Sequence, residues 1–275
     1  AAVPLPHSSS ARLMRLLALL LCVLALPVQA QQRVVSLAPS LTELMLELGA
    51  AEQLVGALGE RPAALAALPS VGEPGQLEFE TLLSLQPDLV LLWPDSINAA
   101  QRQQLRDLHI PLYEAEPHSL EQLASQVAEL GARVGRAERG RQLAVQVRDE
   151  LARLRARYQR PTPLRVFYQV WDKPLYTLGG EQIISDALRV CGAQNLFADL
   201  HLAAPQISLE AVLARDPEVI LVSEAQLLSA WQAWPQLQAV QHGQVWVIPD
   251  RGLERPSLQM LKATAQLCER LAGAR

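Results

Sequence analysis

Gln76-Leu-Glu-Phe-Glu-Thr-Leu-Leu-Ser-Leu-Gln-Pro-Asp-Leu-Val-Leu-Leu-Trp93 returns, without a gap, as Gln206-Ile-Ser-Leu-Glu-Ala-Val-Leu-Ala-Arg-Asp-Pro-Glu-Val-Ile-Leu-Val-Ser223. Gln76 falls on Gln206, Glu80 on Glu210, Leu83 on Leu213, Pro87 on Pro217 and Leu91 on Leu221, and most other pairs are apolar on apolar. Each copy reads as a short helix, a proline stop and a buried strand. Two such copies predict two lobes of similar build. Chance likeness between two generic helix-strand units is the alternative, and a glutamate at both helix starts argues against it.

Outward from these copies the pattern is α/β. Residues 33–38 form a β-branched run. Pro39 and Ser40 turn the chain, and Leu41, Leu44, Met45 and Leu48 then repeat at i, i+3, i+4, i+7 as an amphipathic helix. Gly49 is placed to end that helix in a left-handed conformation. Residues 89–93 read as a buried strand, 98–108 as a helix and 111–115 as a strand. Strands alternating with helices predict a parallel sheet covered on both faces. Residues 119–159 are helical throughout, with Val145, Leu151 and Leu154 on the apolar stripe, and Pro161 and Pro163 end the segment. A strand at 164–171 resumes the α/β alternation. The expected fold class is therefore α/β, with two Rossmann-like lobes of parallel sheet bridged by a single long α-helix. The expected boundaries are an N-terminal lobe at 31–136, the bridging helix at 137–163 and a C-terminal lobe at 164–275.

Residues 1–30 read as an N-terminal extension and signal peptide. Arg12 and Arg15 flank the start of an apolar run from Leu16 to Leu26, too short to span a bilayer, which takes roughly 20 apolar residues. Val28-Gln29-Ala30 is a small-x-small cleavage pattern, so processing is expected after Ala30, with export to the periplasm. Met14 is a candidate start. Cys22 follows Leu21 rather than a small residue, which argues against lipidation there. Two cysteines remain in the mature chain, Cys191 and Cys268. An oxidising compartment favours a disulfide between them, and two separate buried thiols are the alternative.

A formal net charge of -4 with scattered arginines argues against nucleic acid as a partner, because phosphate binding needs clustered cations. Among His109, His118, His201 and His242 there is no zinc motif, and the chain has no G-x-S-x-G elbow and no P-loop. Gly179-Gly180 reads as a turn. An exported α/β enzyme is thus a possibility without motif support, and no metal is expected. Glu80 and Glu210 each fall in the first turn of a helix, where the helix dipole favours a carboxylate by about 0.3–1 kcal/mol. As an equivalent pair on two lobes they also suit docking onto a two-fold basic partner. Ser208 is placed as the N-cap of the second helix. Aromatic residues are only 4% of the chain, so their placement carries weight. Trp93 ends one strand, and Trp171 and Tyr176 lie at or just past another, where open parallel sheets bind ligands. Trp231, Trp234 and Trp246 are assigned to packing. The loop Glu254-Arg-Pro-Ser257 either caps the final helix or lines the cleft.

These segments resemble the periplasmic cobalamin-binding proteins, within the wider group of binding proteins for corrinoids, haem and ferric siderophores. The resemblance runs over residues 33–271. Arg33-Val-Val-Ser-Leu-Ala-Pro-Ser-Leu-Thr-Glu43 and Gln-Pro-Asp-Leu-Val at 86–90 belong to the whole group. Val190-Cys-Gly-Ala-Gln-Asn-Leu-Phe197, Pro205-Gln-Ile-Ser-Leu-Glu210 and Glu254-Arg-Pro-Ser257 look like the cobalamin branch. The resemblance implies a monomeric binding protein without catalytic activity. It implies a Cys191–Cys268 disulfide, and Glu80 and Glu210 as acids docking on an ABC importer's permease dimer with its ATPase subunits. It also implies a corrinoid, cobalamin or a close relative, between the lobes, with no cofactor besides that ligand. Trp93, Trp171 and Tyr176 would meet the corrin plane, and the loop Arg251, Gly252, Leu253, Glu254 and Arg255 would lie beside the ligand. Pro74 and Ala204 stand where cobalamin binders carry cleft tryptophans, the position of their first-lobe cleft tyrosine falls near Glu60, and the acidic start of the loop reads Asp250-Arg251-Gly252, shifted and altered. The alternative ligand is haem or a ferric siderophore. A haem site would offer a Tyr or His axial ligand, and Tyr176 is the one obvious hydroxyl there.

Overall fold

The computed structural model describes residues 31–275. The expected signal peptide, the Met14 start and the Cys22 reading lie outside the described residues. Among those residues no helix is long and apolar enough to cross a membrane.

The first lobe comprises β1 (Val34–Ser36), α1 (Pro39–Glu47), β2 (Leu54–Ala57), a hairpin of β3 (Gly72–Glu73) and β4 (Gln76–Leu77), α2 (Phe79–Ser84), β5 (Leu89–Leu92), α3 (Ala99–Asp107) and β6 (Leu112–Glu114). Two helices follow, α4 (Leu120–Arg133) and α5 (Ala137–Tyr158). The second lobe comprises β7 (Leu164–Gln169), a hairpin of β8 (Trp171–Asp172) and β9 (Leu175–Tyr176), α6 (Ile183–Val190), β10 (Ala193–Asn195), α7 (Leu209–Arg215), β11 (Val219–Val222), α8 (Gln238–Gln241), β12 (Val245–Val247) and α9 (Leu258–Ala272). The main sheets are wholly parallel, ordered β2-β1-β5-β6 and β10-β7-β11-β12. The α/β class with two parallel-sheet lobes, legible in the alternation of patterns, is what the chain adopts.

The sequence repeat is structural. In each lobe the first strand lies between the second and the third, and the fourth closes the edge. Asp88 accepts the Arg33 backbone N–H at 2.8 Å, and Glu218 accepts that of Arg165 at 2.8 Å. The Arg33 guanidinium donates to the Leu85 carbonyl at 2.7 Å, and that of Arg165 to the equivalent Arg215 carbonyl at 2.8 Å. Gln86 and Asp216, each just before the proline stop, both take a left-handed conformation, with φ of 48° and 44°. These matched features at equivalent places are not explained by two generic helix-strand units.

Three apolar clusters build the core. Val35, Leu58, Val90, Leu92 and Leu105 fill one face of the first sheet. Phe167, Phe197, Ile220, Val222 and Trp231 fill one face of the second, with Phe167 edge-on to Phe197 and Trp231. The third cluster covers the remaining face of both sheets and is continuous from Val34 to Leu271, built on α1, α4, α5, α6 and α9. Both lobes therefore share one helical layer. Within α5 the buried stripe is Leu143, Ala144, Val147, Leu151 and Leu154. Val145, expected on that stripe, is 53% exposed, because a 3.6-residue period places it about 200° round the helix from Val147, on the opposite face. The helix ends at Tyr158, short of the proline pair. Gly49 ends α1 with φ of 68°, as read from the sequence.

Gly179-Gly180 is a turn with a further requirement. The Gly179 N–H donates to Ala203 at 3.1 Å and the Gly180 N–H to Leu200 at 2.8 Å. A Cβ at either position would stand 1.9 Å from the Leu202 carbonyl or 2.1 Å from that of Ala198. Both amides are thus committed to the neighbouring chain rather than to a phosphate. Cys191, the residue after α6, is disulfide-bonded to Cys268 in α9, and both are fully buried.

Candidate functional site

The carboxyl ends of strands from both lobes meet at a cavity. Its walls are Glu60, three residues beyond β2, and the segment Asp250, Arg251, Gly252, Glu254 and Arg255 beyond β12, with Gln259 from α9. The volume is about 450 Å³. In the second lobe, a recess of about 310 Å³ lies at the ends of β7 and β11, lined by Trp171, Asp172, Ser223, Glu224, Gln226 and Leu227. Ligands in open parallel sheets bind at these strand ends.

The loop that forms the main wall is built locally. Asp250 caps the turn by accepting the Gly252 N–H at 2.8 Å. Arg251 pairs with Glu254 at 3.6 Å. Leu253 is fully buried in the shared helical layer. Its side chain, expected beside the ligand, anchors the loop from beneath, because a turn lined with polar residues on one side buries its one large apolar side chain on the other. Arg251, Gly252, Glu254 and Arg255 do face the cavity. Under the loop, the Tyr168 hydroxyl lies near Glu254 and Arg251, is buried, and completes no hydrogen bond. Burial holds its pKa well above the ordinary phenol value.

Arg255 has a second engagement. One guanidinium nitrogen donates to Glu43 of α1 at 2.9 Å, and the other pairs with Glu60. Ser257 donates to the remaining Glu43 oxygen at 2.7 Å. One turn along α1, Glu47 accepts the Leu258 N–H at 3.3 Å. Burial raises the Glu47 pKa to about 7, opposed by that N–H and reinforced by Glu43. The loop Glu254–Ser257 therefore both lines the cavity and begins the final helix, with Ser257 capping α9 by accepting the Gln259 N–H. Glu43 and Ser257 were not singled out in the sequence. A usable signal existed: Glu43 interrupts the stripe Leu41, Leu44, Met45, and a carboxylate on a buried face needs partners.

Trp93 sits at the end of β5, 37% exposed, its N–H held by Ser96, whose hydroxyl donates in turn to Leu37. Trp171, 54% exposed, faces Tyr176 across the β8–β9 hairpin, so these two are brought together. No ring contact joins Trp93 to either among the described residues. Trp231 is buried, its indole N–H donating to Gln169 at 2.8 Å, and Trp246 is covered by the Arg270 guanidinium at 4.3 Å. Pro74 and Ala204 are exposed.

Glu80 and Glu210 are each the second residue of a short helix, α2 and α7, both exposed, and neither forms an ion pair among the described residues. Ser208 caps α7 by accepting the Ala211 N–H at 3.2 Å, as expected, whereas Glu78 before α2 gives no side-chain cap. No group of three or more His, Cys, Asp or Glu suited to a metal ion is found among the described residues.

Two similar α/β lobes with a polar cavity between their strand ends define a solute-binding protein in build. The chain belongs to the periplasmic binding protein family, whose model matches residues 34–251. It is 34% identical over 251 residues to the vitamin B12-binding protein of Vibrio cholerae serotype O1, covering 90% of this chain and 91% of that one. It superposes on the crystal structure of the periplasmic vitamin B12-binding protein of Vibrio cholerae with a TM-score of 0.79 at 33% identity, covering 88% and 96% of the two chains. The periplasmic heme-binding protein of the same organism shares the fold alone, with a TM-score of 0.77 at 22% identity over 88% and 99%.

Proposed function

We propose that this protein binds cobalamin or a closely related corrinoid in the periplasm and delivers it to an inner-membrane ABC importer. The observation that carries this reading is the 34% identity to a vitamin B12-binding protein across 90% of the chain. The cavity between the lobes and the exposed rings of Trp93 and Trp171 support it, since a large flat ligand needs both apolar faces and a polar rim. The corrin plane lies against Trp93, Trp171 and Tyr176, and the amide rim meets Glu254 and Arg255, with Arg251 and Gly252 beside the ligand. The loaded monomer docks through Glu80 and Glu210 on the permease dimer, which its ATPase subunits drive. Export follows cleavage after Ala30, and no catalytic step belongs to the cycle.

Haem or a ferric siderophore is the second reading, favoured by the fold shared with a heme-binding protein. Calorimetric titration of the mature protein with cyanocobalamin and haemin in parallel separates the two. Tight one-to-one cobalamin binding with weak haemin binding is expected, and the reverse would move the ligand to haem. The double variant Glu80→Ala, Glu210→Ala is expected to keep ligand affinity and to abolish stimulation of the importer's ATPase. Equal loss of both would refute the docking role.

A further inference from the structure

Four contacts cross from the second lobe to the first at one end of the cavity. Glu43 is held on both oxygens, by Arg255 and by Ser257, and its side chain is only 5% exposed. Arg255 reaches on to Glu60. The Leu258 N–H meets Glu47 one turn along α1. Every donor is about two hundred residues from its acceptor in sequence, so these contacts exist only while the lobes keep their present spacing. A buried carboxylate stripped of its partner is strongly unfavourable. Moving the lobes apart here would strand Glu43, unlike the breaking of an exposed surface pair. Arg255 and Glu60 both line the cavity, so their ion pair ties the two lobes together at the site itself.

We propose that Glu43, Glu60, Arg255 and Ser257 form an interlobe clasp that fixes the width of the cleft before ligand binds. Arg255 is thereby a positioning residue: its planar fork spans two carboxylates on the first lobe, and its backbone carries the loop that frames the site. The clasp governs how fast ligand enters and leaves. That kinetic part rests on the corrinoid reading above; the geometric part does not.

The test uses the mature protein with Gln104→Cys and Gln232→Cys, both exposed and one on each lobe, spin-labelled for pulsed distance measurement. Into this background go Glu60→Ala, which removes the exposed arm, and the pair Glu43→Gln, Arg255→Gln, which keeps hydrogen-bonding shape and leaves no stranded charge. The ligand-free distance distribution is expected to broaden in the double variant and, less, in Glu60→Ala. Arg255→Lys should not restore the narrow distribution, because a point charge cannot span both acids. Cyanocobalamin association and dissociation rates should both rise, dissociation by about tenfold. An unchanged distribution in the double variant, with folding confirmed by its thermal transition, overturns the clasp. If wild-type protein fails to bind cyanocobalamin, the functional reading falls, and the distance measurement still decides the clasp.

Discussion

The Cys191–Cys268 bond closes a loop with a sequence separation of 77 residues and ties α6 to α9 within the shared helical layer. In the chain-entropy account, a loop of this length removes about 4.5 kcal/mol of conformational freedom from the unfolded state at 25 °C. Cys191→Ala, Cys268→Ala avoids burying a new hydroxyl and isolates the loss of the link. With a urea slope of about 2–3 kcal/mol/M, the unfolding midpoint should fall by roughly 1.5–2 M. Wild-type protein with dithiothreitol should fall by a similar amount, and the reductant should leave the double variant unmoved. Neither cysteine lines the cavity, so ligand affinity measured well below the transition should be unchanged. A midpoint shift under roughly 0.5 M would refute the reasoning, since it would show that the unfolded chain is not constrained by this link. An affinity loss in the folded double variant would refute the separation of link and site.

Three further outcomes follow from particular side chains. The Glu47 pKa near 7 stands above its ordinary value of 4.5, so the folded state holds the proton more tightly than the unfolded one. Its favourable contribution is fully present below about pH 4.5 and is lost as pH rises through 7, by at most about 3 kcal/mol. Glu47→Gln should therefore flatten the stability profile between pH 5 and 8 and raise stability at about pH 8, as read by urea unfolding at each pH. Leu253→Ala should cost about 2–5 kcal/mol in the same assay, because the side chain is a fully buried anchor of the loop. Tyr168→Phe removes a buried hydroxyl with no partner and should leave stability unchanged or raise it by up to about 1 kcal/mol; a loss of that size would show a bond to Glu254.

Much of the architecture was legible along the chain. The duplicated helix-proline-strand unit set two similar lobes, and the run 119–159 set a helical connection between them, because helix and strand periods are local properties. The helix-ending role of Gly49 and the Ser208 cap were equally readable, since backbone sterics and short-range hydrogen bonds decide both. Sequence determined which strand ends would carry aromatic rings, and two of those rings, Trp171 and Tyr176, do face each other. Tertiary structure alone decided that Leu253 points down while its loop neighbours point into the cavity, and that Val145 lies off the buried stripe. It alone joined Arg255 to Glu43 and Glu60, residues about two hundred positions away. The physical reason is the same in each case. Periodicity reports which face of an element is apolar, but the partner of a buried charge is fixed only when the two lobes are packed on their common helices.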